Sequence, residues 1–241
     1  MQFIIYSKKD GIGLISFNRP EVLNAANNQL TREFLQVLKS AEIDRNVKVV
    51  VLRGEGRAFC SGHDLKEDTT GATLEESFIL IEELQETTRT ILNMGKPVIA
   101  AIHGYAVGAG CEWAMNCDIR IAAEGAKLGF PEASIGTTIT NAGTKLLTLL
   151  VGLGRAKELV LTGRLIEARE AKEWGLVNKV VPLDALNKEA MGLAEKIAKN
   201  PTISNRLAKF ALNEAVNETF DQTLNREARD AILMPISAPK N

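Results

Sequence analysis

The chain has 241 residues, of which 45% are hydrophobic and 24% charged, and its net charge is −1. That length allows about three quarters of the unfolded surface to be buried in one domain, and a charge near zero argues against nucleic acid or an acidic membrane as the main partner. No apolar run approaches the ~20 residues that span a bilayer, and the opening MQFIIYSKKDG is too short in its apolar part for a signal peptide, with Lys8 and Lys9 directly behind it.

The three cysteines (Cys60, Cys111, Cys117) form no CxxC pair, and an odd number argues against a disulfide framework. With His63 and His103 the only histidines, a metal site is not expected. These features fit a reducing cytoplasm, or a matrix protein already stripped of a transit peptide.

In chain order, residues 12–17 and 47–53 read as strands, joined by a helix on which Leu30, Phe34, Val37, Leu38 and Ala41 recur at three- and four-residue spacing. Residues 54–64 form a loop containing Gly54, Gly56 and Gly62. Residues 74–93 read as a second helix with an acidic, solvated side. Val98 to Ile102 is a short apolar run set off by Pro97 and ended by Gly104, hence a third strand, and residues 118–123 supply a fourth. From Asn141 the chain is mostly helical: Leu183, Leu186, Ala190, Leu193 and Ile197 make a helical stripe, and Pro201 starts another helix. No internal repeat of fixed period, linker or low-complexity segment interrupts this α/β order.

The segment KPVIAAIHGYAVGAGCEWAMNCD (96–118) organises the rest. Its strand passes through Gly104, Gly108 and Gly110 into a helix expected to begin near Cys111. Glycines on both sides of Ala109 let the backbone approach a ligand and leave first-turn N–H groups free. Those groups sit at the positive end of a helix dipole and suit a negative oxygen. Glu112 follows in the first turn. Several common motifs are absent: Gly95-Lys96 lacks the glycine spacing of a phosphate loop, GYAVGAG is not the dinucleotide fingerprint, and there is no G-x-S-x-G.

Five stretches then resemble the enoyl-CoA hydratase/isomerase (crotonase) superfamily, in that family's order: FNRPEVLNA (17–25), RAFCSGHDLKE (57–67), HGYAVGAGCEWAMNCD (103–118), LGFPEASIG (128–136) and LTGRLIEAREAKEWGLVNKVVP (161–182). The resemblance runs from about Gly11 to about Ala231. It implies a spiral of repeated strand–strand–helix units over about residues 1–180, then a helical region over about 181–241 that builds a homotrimer, often doubled to a homohexamer. It also implies that these form a single crotonase-like domain and that the substrate is an acyl-CoA thioester.

The resemblance further implies an enoyl-CoA hydratase, a hydro-lyase that adds water across the 2,3-double bond, with no cofactor beyond the coenzyme A carried by the substrate. On this reading the His63 and Ala109 N–H groups form the oxyanion hole, Glu112 holds the water as base and Glu132 protonates Cα. The presence of both acids favours a hydratase over an isomerase or thioester hydrolase of the same superfamily. The near-zero charge disfavours a non-catalytic scaffold or RNA-binding member. Val22, Ala25, Ser61, Asp64, Leu65, Lys66, Gly108, Pro131 and Gly136 fall on the family's substrate-binding stretches.

Some positions keep two readings. Lys66 is either a coenzyme A contact or a solvated lysine. Asp118 either orients the site or pairs at a strand start. The His63 ring either faces the thioester or points aside while only its N–H matters, and His103 reads as structural. The loop SIGTTITNAGTKLL (134–147) departs from the family: Ile139 stands at a usual proline, and Thr140, Asn141 and Ala142 stand where glycine and small residues are common. Because that loop lines the family's acyl pocket, the expected acyl group is shaped or polar rather than a plain long chain. Relatives also continue further past Arg226, whereas Pro235 and Pro239 here break any helix.

Overall fold

Strand β1 (Ile4–Lys9) turns through Asp10 and Gly11, both in the left-handed region at φ 50° and 80°, into antiparallel β2 (Ile12–Phe17). The computed structural model describes residues 1–67 and 73–233. The elements that follow are α1 (Asn28–Ile43), β3 (Val49–Gly54), α2 (Leu74–Asn93), β4 (Val98–Ile102), β5 (Tyr105–Val107), α3 (Ala109–Asn116), β6 (Ile119–Ala123) and β7 (Lys127–Gly129). After these come α4 (Gly143–Val151), α5 (Leu153–Thr162), β8 (Leu165–Glu167), α6 (Ala168–Glu173), β9 (Lys179–Val181), α7 (Leu186–Ala198), α8 (Thr202–Ala215) and α9 (Phe220–Leu233). Pro235 and Pro239 lie outside the described residues.

Six strands pair in the order β1-β2-β3-β4-β6-β9, parallel throughout except for the β1–β2 hairpin, and β5-β7-β8 form a second sheet. β3 and β4 are buried on both faces, which is why they read as continuous apolar runs. Val50, Leu52, Val98, Ala100 and Ile102 face a core shared with α1, α2 and α3. Val49, Val51, Ile99 and Ala101 face α7. At the centre of the first core Phe17, Phe34, Phe59 and Trp113 pack with ring centroids 5.0 to 5.5 Å apart.

The bounds of α2 follow from a capping box: the Glu76 N–H donates to Thr73 Oγ1 at 3.1 Å, and the Thr73 N–H donates to Glu76 Oε2 at 2.8 Å. α3 starts at Ala109, two residues before the expected position, because Gly108 turns the backbone directly into it at φ 52°. On α7 the buried positions are Leu186, Ala190, Ala194 and Ala198, while Leu193 and Ile197 are half-buried; Leu183 lies exposed in the turn before the helix. The sequence stripe is thus rotated by part of a turn, since alanines let the helix lie close to the sheet and the larger residues flank the contact. All three cysteines are free and buried, and burial pushes the Cys60 and Cys117 thiols up to about 12.

Asp118 takes the second of its two readings. Its Oδ2 accepts from the Val98 N–H at 2.7 Å and pairs with Lys209 Nζ at 3.0 Å, so it ties β4 to β6 and to α8. Lys209 is buried and also donates to the carbonyls of Ile91 (2.9 Å) and Lys96 (3.2 Å). Lys209→Met is therefore expected to lower stability by about 3 kcal/mol, because it removes the ammonium that pairs with the Asp118 carboxylate and donates to two buried carbonyls. Urea unfolding would measure this; an unchanged midpoint would mean that the ammonium contributes nothing.

Candidate active site

Three loop segments meet along the C-terminal side of β2, β3 and β4. The Ala26 N–H donates to Gly62 O (2.7 Å) and the Asp64 N–H to Ala26 O (3.0 Å), which fastens the first loop to the 57–64 loop. On its other side the Cys60 N–H donates to Tyr105 O (2.9 Å) and the Val107 N–H to Cys60 O (3.0 Å). The result is a short ladder with isolated bridges at Ala26–His63 and Cys60–Ala106. Gly62 and Gly108 abut, since a Cβ on Gly62 would lie 3.8 Å from Gly108 Cα. The next residues, His63 and Ala109, therefore begin side by side. Among the described residues neither N–H meets an acceptor, that of Ala109 being the first of its helix.

The two glutamates flank this point in different surroundings. Glu112, at 1% exposure, accepts three hydrogen bonds: from the Thr140 N–H to Oε1 (2.6 Å), and from Thr140 Oγ1 (2.9 Å) and Asn141 Nδ2 (2.8 Å) to Oε2. Glu132, at 8% exposure, has no such support, and its Oε2 is buried without a partner among the described residues. Its Oε1 lies where a Cβ on Gly108 would be 2.9 Å away, so the glycine leaves room for the carboxyl beside the start of α3. Burial, reinforced by the negative charge of Glu112, pushes the Glu132 carboxyl up to about 7. One glutamate is thus held by donors, whereas the other, lacking them, holds its proton well above the usual carboxylate range.

The remaining residues singled out by sequence divide into two groups. Ala25 and Gly108 are buried at the ladder, with Val22, Ser61 and Pro131 half-buried near it. Ser61 is tied to the first loop, its N–H donating to Leu23 O at 3.1 Å. Asp64 pairs with Arg19 at 2.9 Å between two largely buried side chains, so its carboxylate fixes the loops to one another. Leu65, Lys66 and Gly136 are exposed, as is His63. His103 Nε2 lies 3.0 Å from Gly56 O, in keeping with a structural role. A separate cleft of about 610 Å³, lined by residues including Arg53, Arg57, His103, Glu124 and Leu183, contains neither glutamate.

Sequence reasoning placed Thr140 and Asn141 in a divergent loop without finding their bond to Glu112. The one signal was an asparagine at a position that elsewhere favours glycine: Asn141 is fully buried and left-handed at φ 51°. Buried asparagine in that conformation requires partners for its amide.

The α/β fold thus brings two backbone N–H groups that meet no acceptor among the described residues beside a buried pair of glutamates. Residues 7–233 match the family model described as enoyl-CoA hydratase/isomerase, and the chain belongs to that family. It is 42% identical over 217 residues to a mitochondrial enoyl-CoA hydratase of Pongo abelii, covering 90% of this chain and 72% of the relative. It is 38% identical to a short-chain-enoyl-CoA hydratase of Clostridium acetobutylicum, covering 93% and 86%. Among solved structures, an enoyl-CoA hydratase from Bacillus anthracis superposes with a TM-score of 0.91 at 39% identity, covering 96% of this chain and 90% of that one. The architecture is the crotonase type, with the helical region at its C-terminal end.

Proposed function

We propose that the protein is an enoyl-CoA hydratase that adds water in syn fashion across the 2,3-double bond of an enoyl-CoA thioester. The observation that carries this reading is the asymmetry of the glutamate pair: three donors on Glu112, and a buried Glu132 beside Gly108 whose Oε2 has no partner among the described residues. Water held by Glu112 gives it a proton as the oxygen attacks Cβ. The double-bond electrons move through Cα to the thioester oxygen, where the His63 and Ala109 N–H groups stabilise the enolate. A single such donor is worth about 3 kcal/mol in related chemistry. The carbonyl re-forms as Glu132 delivers its proton to Cα, and the pair resets through solvent. The reaction needs no cofactor beyond the coenzyme A of the substrate.

Val22, Ala25, Ser61, Asp64, Leu65, Lys66, Gly108, Pro131 and Gly136 are the proposed substrate-binding stretch. The acyl group is a shaped or polar one rather than a plain long chain, a reading supported by the loop beside Glu112, where Ile139 packs on Gly143 and Thr140 and Asn141 fill the space next to the carboxylate. A homotrimer or homohexamer is supported by the apolar residues that α8 and α9 leave exposed, including Leu212, Phe220, Leu224 and Ile232. Buried free thiols fit a reducing cytoplasm. Among the described residues no helix is long and apolar enough to cross a membrane.

Loss of the conjugated enoyl-thioester absorbance of crotonyl-CoA tests the reading. The wild type is expected to turn over, and Glu112→Gln to lower kcat by roughly 10²- to 10⁴-fold. A Glu112→Gln variant as fast as wild type would overturn it.

A further inference from the structure

Behind Glu112 runs a buried chain of hydrogen bonds that the proposed reaction does not use. Asn141 Nδ2 donates to Glu112 Oε2 at 2.8 Å, and Asn141 Oδ1 accepts from Thr88 Oγ1 at 2.9 Å. Thr88 Oγ1 in turn accepts from Asn116 Nδ2 at 2.7 Å. All three residues are buried, and they come from three separate elements: α2, α3 and the turn before α4.

The direction of every proton is set by the end of the chain. A carboxylate only accepts, so Asn141 must present its NH₂ to Glu112 and leave its carbonyl oxygen for Thr88. The Thr88 hydroxyl then donates forward and its oxygen accepts from the Asn116 amide. Each bond places a donor toward Glu112, and neighbouring bonds of this kind strengthen one another in a low-dielectric interior.

The backbone gives a second, independent reason to assign the side chain a purpose. Asn141 and Ala142 are both left-handed, at φ 51° and 56°. Glycine would occupy either position without strain, while a residue carrying a Cβ does so at a cost. Asparagine tolerates this region better than most residues, but it still forgoes the unstrained option. What it supplies in return is one amide, buried and aimed at a carboxylate. The Asn141 N–H itself donates to Gln85 Oε1 at 3.0 Å, so α2 holds the turn at both its backbone and its side chain.

We infer that Asn141 is a positioning residue for the water-bearing carboxylate of Glu112, held in place by a Thr88–Asn116 relay across α2 and α3. This rests on the proposed hydratase reading. The relay fixes the carboxylate plane through Oε2, while the Thr140 N–H fixes Oε1. Oε2 then accepts from both Thr140 Oγ1 and Asn141 and Oε1 from the Thr140 N–H, which leaves one acceptor position, on Oε1, for the attacking water.

The test uses four variants in the crotonyl-CoA assay, each beside wild type and Glu112→Gln. Asn141→Gly removes the amide while suiting the left-handed backbone, so relief of the backbone partly offsets the lost hydrogen bonds and its melting temperature is expected to fall by no more than a few degrees. Its kcat is expected to fall roughly 10- to 100-fold, the scale of a misplaced reacting group, with KM changed by less than about threefold. Thr88→Val is expected to lower kcat by less, and Thr88→Ser to restore it. The double variant Asn141→Gly/Thr88→Val is expected to match Asn141→Gly alone, because Thr88 acts only through Asn141. Wild-type kcat in Asn141→Gly, or fully additive losses in the double variant, would overturn the relay while the Glu112→Gln control still upheld the hydratase reading. An undiminished Glu112→Gln variant would remove the reading and the relay together.

Discussion

Glu132→Gln is expected to lose roughly 10²- to 10⁴-fold in kcat for enoyl-thioester hydration and to gain stability in the same substitution. Both effects come from one source. Burial holds the carboxyl neutral up to about pH 7, so below that it can deliver a proton to Cα, and glutamine cannot. Because the folded value lies above the unfolded one, near 4.5, the protonated form is the one that folding favours. Stability from this group is therefore fully present below about pH 4.5 and declines as pH rises toward 7. At neutral pH and above, the folded protein carries a charge in a buried site with an unpartnered Oε2.

Moving a carboxyl from 4.5 to about 7 corresponds to about 3 kcal/mol at most. The glutamine variant should show little advantage at pH 4.5 and its full advantage above pH 7, read as the difference in urea midpoints. In the wild type, kcat/KM should fall as pH rises through about 7. A variant that keeps wild-type turnover, or one no more stable at pH 8 than at pH 5, would contradict this account of Glu132.

Gly110→Ala carries the second large expectation. A Cβ at this position would lie 2.2 Å from the Cys60 carbonyl oxygen and 2.8 Å from its Cβ. The Cys60 backbone cannot yield, because its N–H donates to Tyr105 and its carbonyl accepts from Val107. The helix start would have to back away by about 1 Å, at a cost of about 3 kcal/mol. That shift would also part the Ala109 N–H from the His63 N–H, because the two segments share this contact. A loss of roughly 10²-fold in kcat is expected along with the loss of stability. Gly192→Ala on α7 is the control, having no atom within 4 Å of the added carbon, and should stabilise by up to about 1 kcal/mol. If Gly110→Ala behaves like Gly192→Ala, the close docking of the Cys60 and Gly110 segments does not matter.

Where a local rule was sufficient, the sequence could be read directly. Continuous apolar runs gave β4 and, within two residues, β3 and β6, because strands buried on both faces have no polar side to alternate with. Leu74 and Asn93 bound α2 because a capping box and an amphipathic pattern agree. β1 went unread: IIYSKK is exposed over most of its length and becomes a strand by pairing with β2. The α7 stripe was read about the larger residues, whereas close approach to the sheet selected the alanines. In the site, Glu112 and Glu132 were legible through the motifs around them. The bond from Asn141 to Glu112 was not, because it joins residues 29 positions apart through a turn whose asparagine looks like ordinary turn chemistry.

The six-stranded sheet has two edges, and neither invites another chain. On one side β1 carries Lys8 and Lys9, and the Glu33 carboxylate of α1 takes the N–H groups of Gln2, Phe3 and Ile4, which would otherwise stand ready for a further strand. On the other side β9 is three residues long and begins with an exposed lysine. Charged, capped and short borders of this kind block strand-to-strand recruitment and the fibrous association it leads to. A core rich in parallel β-structure pairs over long sequence separations and so assembles slowly. During that interval closed borders protect the half-built sheet from its own copies.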